Sequence, residues 1–323
     1  MLILEKGKKR LTQIEMKKQS LKIVFALILI FGITSQSQAQ SSRWFRTSSL
    51  EFGLIGGFSH YSGELTDNKL FDSRGFKPCF GLITRYTPQQ MVTFRLSAQF
   101  GGLEGDDAWY EDQESPDRRN LNFQSDIWDF TGAAEINLRT IDMRQKSGII
   151  PYVFGGVSVF KYNPTAVFNF DPNSPHMTRP GSAYADLQER DGEIVNLQTL
   201  ATEGQETTEF NERKRYNLTQ VGVPVGFGFK FKFSHNWTAA VEYGLRFTFT
   251  DYLDDVSLTY VDPSRLQAQY GAMSAAMADK SPVLHDELLN NERGNPDNKD
   301  KYGILGVTIT YRIYGNRPVC PTF

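Results

Sequence analysis

From Val221 to Phe233 the chain reads VGVPVGFGFKFKF, with Val and Phe at every odd position and Gly, Pro or Lys at every even one. Successive residues of a strand point to opposite faces, so this is one extended strand with an apolar side and a small or charged side. The pattern alone leaves open whether the apolar side meets a protein core or lipid.

The same alternation recurs along the chain and predicts eight strands, over residues 51–60, 76–86, 91–100, 124–138, 149–162, 218–233, 237–250 and 302–314. In the third, Val92, Phe94, Leu96, Ala98 and Phe100 oppose Thr93, Arg95, Ser97 and Gln99. In the fourth, Trp128, Phe130, Ala134, Ile136 and Leu138 oppose Asp129, Thr131, Glu135 and Asn137. The seventh sets Trp237, Val241, Tyr243, Leu245, Phe247 and Phe249 against Glu242, Arg246 and Thr248. The eighth sets Val307, Ile309, Tyr311 and Ile313 against Thr308, Thr310 and Arg312.

The connections separate the two settings. Residues 87–90, 139–148 and 234–236 are short gaps, and they alternate without exception with long ones at 61–75, 101–123, 163–217 and 251–301. Transmembrane barrels have short turns at one end and long loops at the other, whereas a Greek-key sandwich gives no reason for that order. The expected fold is therefore all-β: an eight-stranded antiparallel transmembrane β-barrel of the outer-membrane type with long extracellular loops and both mature termini in the periplasm. The loop at 163–217 is too long for an incidental connection and is either functional or mobile. In the last loop Asp262, Pro263 and Ser264 open a segment that reads as a short capped helix, its Met and Ala face packed against its own loop. Pro224 removes a ladder donor, and a bulge is expected there.

Composition agrees, with 24 Phe, 14 Tyr and 27 Gly in 323 residues. Residues 16–39 read as a secretory signal peptide, with Lys17, Lys18 and Lys22, an apolar run from Ile23 to Ile33, and Ser37-Gln38-Ala39 before the expected cleavage. No Cys stands at that site, which argues against a lipoprotein. The organisation is then an extension plus signal peptide at 1–39, the barrel at 40–314 and a periplasmic tail at 315–323. Removing residues 1–39 takes away seven basic and two acidic residues and leaves a net charge of −7, which deprives a nucleic-acid role of its electrostatic basis. No later apolar run is long enough for a helical span, so membrane insertion must use strands.

An eight-stranded barrel is just wide enough for side chains to fill. Arg85, Arg95, Asp129, Glu135, Lys230, Glu242, Arg246 and Arg312 fall on the inner face and are expected to form a paired charge plug, because buried charges need partners. Asp251, Asp254 and Asp255 mark the outer end of the seventh strand; their spacing is not that of an EF-hand, and a salt-bridged rim network with Arg118 and Arg119 is expected instead. The four His residues, 60, 176, 235 and 285, accompany no serine-hydrolase or zinc-protease motif, so neither an enzyme, a metal nor a cofactor is expected. Cys79 and Cys320 lie toward opposite ends of a barrel roughly 25 Å tall, which is too far for one disulfide. Cys320, flanked by Pro318 and Pro321, is a candidate for an intermolecular disulfide or remains an unpaired thiol.

EFGLIGGFSHYSGEL, DRRNLNF, IPYVFGGVSVFKYNP, TDYLDDVSLTYVDP and the last strand with its Cys-bearing tail together resemble the DUF6089 family of Bacteroidota outer-membrane β-barrels. The resemblance implies a non-enzymatic component of type IX protein secretion, on which gliding motility would also depend. Its implied partners are outer-membrane lipid and the periplasmic ring of the lipoprotein PorK and its partner PorN, with PorK the first place to seek a disulfide partner for Cys320. The other function class is a binding or adhesion barrel that uses its long extracellular loops.

Overall fold

The structure is a computed structural model and describes residues 48–66, 73–110, 119–139, 147–172, 174, 183–281 and 292–314. Among the described residues nine strands form in chain order: β1 (Ser49–Ser62), β2 (Lys77–Gln89), β3 (Val92–Asp106), β4 (Asn122–Asn137), β5 (Gly148–Val167), β6 (Ile194–Asn196), β7 (Thr219–Lys232), β8 (Trp237–Thr248) and β9 (Lys301–Tyr314). Eight of them close a ring, because β1 pairs with both β2 and β9, β4 with β5, and β5 with β7, all antiparallel. Closure leaves no free edge, which is the condition for strands to cross hydrocarbon. The ninth, β6, adds three residues to the far end of β5 at Thr165 to Val167.

The alternation assigns the two faces as its pattern requires. Leu54, Leu82, Leu96, Phe130, Val157, Phe227 and Ile309 are all exposed on the outer wall. Their strand neighbours Arg85, Arg95, Asp129, Glu135, Lys230 and Glu242 are buried within. This inverts a water-soluble barrel, and the exterior is built for lipid.

At the long-loop end the strands outrun the expected spans, β3 to Asp106 rather than residue 100 and β5 to Val167 rather than 162. Outward positions there turn polar, at Glu104, Gln124, Asp126 and Asn163, so the apolar rule that marks lipid-facing strand stops before the strand does. Instead of one helix there are two, Pro263–Tyr270 and Ala272–Ala278, separated by Gly271 at φ 90°. Asp262 caps the first by accepting from the Ser264 N–H at 2.9 Å, and Met273 through Ala278 are all buried. No bulge forms at Pro224. The β5–β7 ladder is interrupted opposite Val223 and Pro224 and resumes in the same register, Gly155 with Val225 and Ser158 with Gly222. The other side of Pro224 still faces Arg246.

The interior has two storeys. Toward the short turns it is polar. Toward the long loops Tyr61, Leu103, Phe123, Ile127, Phe160 and Tyr162 from the strands continue into Leu253, Val256, Leu266 and Met273 from the connections as one apolar core. The loops thus close the barrel with a packed dome.

Candidate functional site

Arg85 and Arg95 are register partners on β2 and β3 and both point inward. Two like charges directly opposite destabilise a sheet unless carboxylates answer them. Glu135 of β4 and Glu242 of β8 do so. Arg85 Nε lies 2.9 Å from Glu135 Oε1 and its Nη2 3.1 Å from Glu242 Oε2. Arg95 reaches Glu242 Oε1 at 2.7 Å and Glu135 Oε1 at 3.4 Å. Lys230 Nζ adds a 2.5 Å contact to Glu135 Oε2 and donates to Asn137 at 3.0 Å. Tyr152 donates to Glu242, and the Arg95 guanidinium sits 4.5 Å from the Phe154 ring centroid. Every member is buried, so the network crosses the lumen and fills it.

The other three predicted lumen residues pair apart from this centre. Arg246 Nε lies 3.3 Å from Asp129 Oδ2, which also accepts from Tyr302 Oη at 2.6 Å. Arg312 Nη2 lies 2.6 Å from Glu51 Oε1, while Thr310 donates to the other Glu51 oxygen at 2.8 Å. Glu51, Tyr152 and Tyr302 escape the sequence reading for different reasons. Glu51 begins the span expected from sequence, two residues inside β1 as it forms, so no alternation precedes it there, and tyrosine counts as an apolar or girdle residue until its hydroxyl is placed.

The expected rim network is built differently. Asp251, Asp254 and Asp255 are buried at 3%, 1% and 0% exposure, inside the dome rather than on a solvated rim. Arg119 makes a bidentate pair with Asp107, at 2.7 and 2.8 Å, and donates to the backbone oxygens of Arg293 and Glu64 at 2.8 and 3.0 Å. It thereby ties together the β1–β2, β3–β4 and β8–β9 connections. Arg118 lies outside the described residues, as do His176, His285 and Cys320. Cys79 is a buried free thiol on the inner wall.

The aspartates take other partners. Asp255, at φ 66°, accepts from Tyr216 Oη at 2.7 Å and Thr202 Oγ1 at 2.5 Å. Asp254 Oδ2 and Asp300 Oδ1 both meet the Tyr61 hydroxyl, at 2.6 and 2.8 Å. Burial raises Asp254 and Asp300 well above the usual carboxylate range, with each disfavouring the other's charge or that of nearby acids. Burial also pushes Asp251 up to about 7 and Asp255 to about 6, the latter against the pull of Arg293. Arg293 anchors the fourth long connection to the third: its Nη1 lies 3.0 Å from Glu203 Oε1, which also accepts from the Ser257 and Leu258 N–H groups. Among the described residues no group of three or more His, Cys, Asp or Glu is placed to hold a metal ion.

The lumen and dome therefore hold paired charge and packed side chains.

The sequence profile of the family described as "Domain of unknown function (DUF6089)" matches residues 21–178. No curated protein matches the chain. Solved structures similar to it include the N-terminal β-barrel domain of OprF from Pseudomonas aeruginosa, at 11% identity and a TM-score of 0.32, covering 82% of this chain and 97% of that one. Neisserial surface protein A is similar at 8% identity and a TM-score of 0.35, covering 82% and 96%. Ail, the attachment invasion locus protein of Yersinia pestis, is similar at 10% identity and a TM-score of 0.32, covering 83% and 99%.

Proposed function

Taking the match of residues 21–178 to the DUF6089 profile as the premise, we propose that this barrel is a non-enzymatic outer-membrane component of type IX protein secretion, resembling PorG, that contacts the periplasmic PorK/PorN ring. The single observation that supports a docking role over a conduit is the filled lumen. Arg85, Arg95, Glu135, Glu242 and Lys230 close it at one storey, and the apolar core seals it at the next. A sealed barrel acts through its surfaces and its hold on the membrane. In this reading the short turns and both mature termini face the periplasm, and Cys320 in the tail is the covalent contact point.

The test is affinity capture from intact cells with and without reductant. A reductant-sensitive adduct with the ring lipoprotein, lost in Cys320→Ser, is expected. Normal secretion in a deletion strain together with no periplasmic partner would sink the proposal. The packed dome favours a second reading, a surface-binding barrel, because a plain anchor has no need of four long connections stapled by Arg119 and Arg293. Loss of cell or ligand binding with secretion intact would select it.

A further inference from the structure

Two hollows lie one above the other on the outer wall of β2 to β6. The lower, of about 420 Å³, is lined by Leu82, Leu96, Ala98, Phe130 and Gly132. It exists because small residues stand between large ones. A Cβ built on Gly132 would meet only the Leu96 Cδ2, at 3.6 Å, so the space beside it is open. Leu82, Leu96 and Phe130 are exposed at 62%, 68% and 55%, and this is lipid-facing wall.

The upper hollow, of about 390 Å³, has another chemistry. Lys77, Gln124, Asp126, Asn163 and Thr165 line it, with Ile194 of β6 at its side. Gln124 is held by Glu104 at 2.9 Å and Asn163 by Asn196 at 2.8 Å, so the amides are fixed in place. Asp126, outward and exposed, is the register partner of Asn163. Ile194 is 71% exposed although it stands beyond the apolar band, where an uncovered isoleucine gains nothing from water.

An aromatic seam divides the two. Phe100 and Trp128 are register partners with ring centroids 4.8 Å apart, and Phe80 lies 5.6 Å from Phe100. Such rings settle at the level of lipid headgroups. Lys161, outward and exposed, is the register partner of Trp128, so a cation stands at that same level. Gly102 lies four positions along its strand from Ala98, and Asp126 four from Phe130, roughly 13 Å along each strand. One amphiphile therefore reaches from the lower hollow to the upper.

We propose that this wall seats one phosphorylated glycolipid of the outer leaflet, its acyl chain in the Gly132 hollow and its sugar in the Asn163 groove. Amides and a carboxylate over an apolar side wall suit sugar hydroxyls and C–H faces, and Lys161 suits the phosphate, while Lys77 is paired with Glu104. A diacyl phospholipid offers no ring of hydroxyls to the groove, and a soluble sugar phosphate offers no chain to the hollow. The inference rests on the long loops facing outward and is independent of any periplasmic partner.

The test uses the full barrel in nanodiscs, with native mass spectrometry counting retained lipid A against phosphatidylglycerol. Wild type is expected to retain lipid A at least tenfold better. Gly132→Phe, which fills the lower hollow, and Asp126→Ala with Asn163→Ala, which strips the upper, should each cut retention about tenfold while gel mobility remains heat-modifiable. Should Gly132→Phe fail to fold, Ala98→Leu fills the same space. Equal retention of phosphatidylglycerol, unchanged retention in folded variants, or equal binding of a glucosamine disaccharide phosphate lacking acyl chains overturns the proposal. The ring-protein adduct reads the separate question of partner.

Discussion

Asp254 and Asp300 converge on a single hydroxyl: the Tyr61 Oη lies 2.6 Å from Asp254 Oδ2 and 2.8 Å from Asp300 Oδ1. One hydroxyl proton serves only one of these bonds. The other requires that a carboxyl bring its own proton and donate to the tyrosine oxygen. The pair is therefore held with one member neutral, which is what burial and mutual repulsion impose on both.

A pH dependence follows for the dome. The folded-state pKa values of Asp251, Asp254, Asp255 and Asp300 are raised, so their favourable contribution is fully present below the ordinary carboxylate range and is lost as pH rises through the folded values. Starting from the ordinary aspartate value, Asp255 raised to about 6 and Asp251 to about 7 place their share of that loss between about pH 4 and 7. The Leu253 and Val256 N–H groups donate to Asp300 and Asp254, so hydrogen exchange at these two amides is the readout. Corrected for intrinsic exchange, their protection is expected to fall by up to about tenfold per pH unit per titrating group. Asp251→Asn should flatten the curve above pH 6. A protection factor that rises from pH 6 to 8 contradicts the assignment.

In the lumen, the carboxylates are the vulnerable members. Glu242 answers both Arg85 and Arg95, so Glu242→Ala leaves two buried guanidiniums with one shared partner in Glu135. Breaking a buried pair from one side costs about 3–5 kcal/mol. Urea unfolding in lipid vesicles, followed by loss of heat-modifiable gel mobility, should show a shift of that size. Glu242→Gln keeps the shape but not the charge and should fall between the two. A change below about 1 kcal/mol for Glu242→Ala would mean that water fills the centre and screens it.

Much of this was legible before the fold was seen, for a definite reason. A barrel wall is a period-two pattern with lipid on one side, so Arg95 between Phe94 and Leu96, or Lys230 between Phe229 and Phe231, declares its direction. Loop lengths then give the closure. The dome is different, because its residues have no period. Glu203 and Arg293 are ninety residues apart in two connections, and nothing local marks them as partners. Arg119 was identifiable as a rim cation, but its partner Asp107 lies in the same connection, where strand β3 ends later than its apolar pattern. The aspartates of TDYLDD look solvated in one dimension, since only packing of Leu253, Val256 and the Met273 helix removes them from water. Pro224 misled for a related reason: a closed ladder tolerates a lost donor when it skips pairings without inserting a residue.

The glycines of β7 make a sharper test of the interior. A Cβ on Gly226 would lie 2.4 Å from Phe154 Cζ and 2.4 Å from the Tyr243 backbone oxygen. One on Gly228 would meet the Tyr152 ring and hydroxyl at 2.8 Å. These positions make room for the aromatic rings beside the charge centre. Gly226→Val should destabilise by about 1–3 kcal/mol through overpacking. The paired change Gly226→Val with Phe154→Ala should recover part of it, in a double-mutant cycle read by the same urea unfolding. Strict additivity of the two would show that the ring does not need the glycine's space.

The depth of the barrel in lipid is fixed by the outer wall and can be read with one substitution at two heights. Leu54 sits near the middle of β1, is 64% exposed and pairs with Ile309. Ile313 is 50% exposed on the same wall but lies one residue from the end of β9, beside the short turns. Arginine on a lipid face costs about 2–4 kcal/mol at the bilayer midplane and about 0–1 kcal/mol near an interface, because a guanidinium there reaches water. Leu54→Arg is expected to show the first cost and Ile313→Arg the second, in folding equilibria measured by tryptophan fluorescence in vesicles. In a detergent micelle, which deforms around a charge, the two should draw together. Equal penalties at both positions in the bilayer would place the hydrocarbon elsewhere along the strands and shift the aromatic seam of Phe100 and Trp128 off the headgroup level.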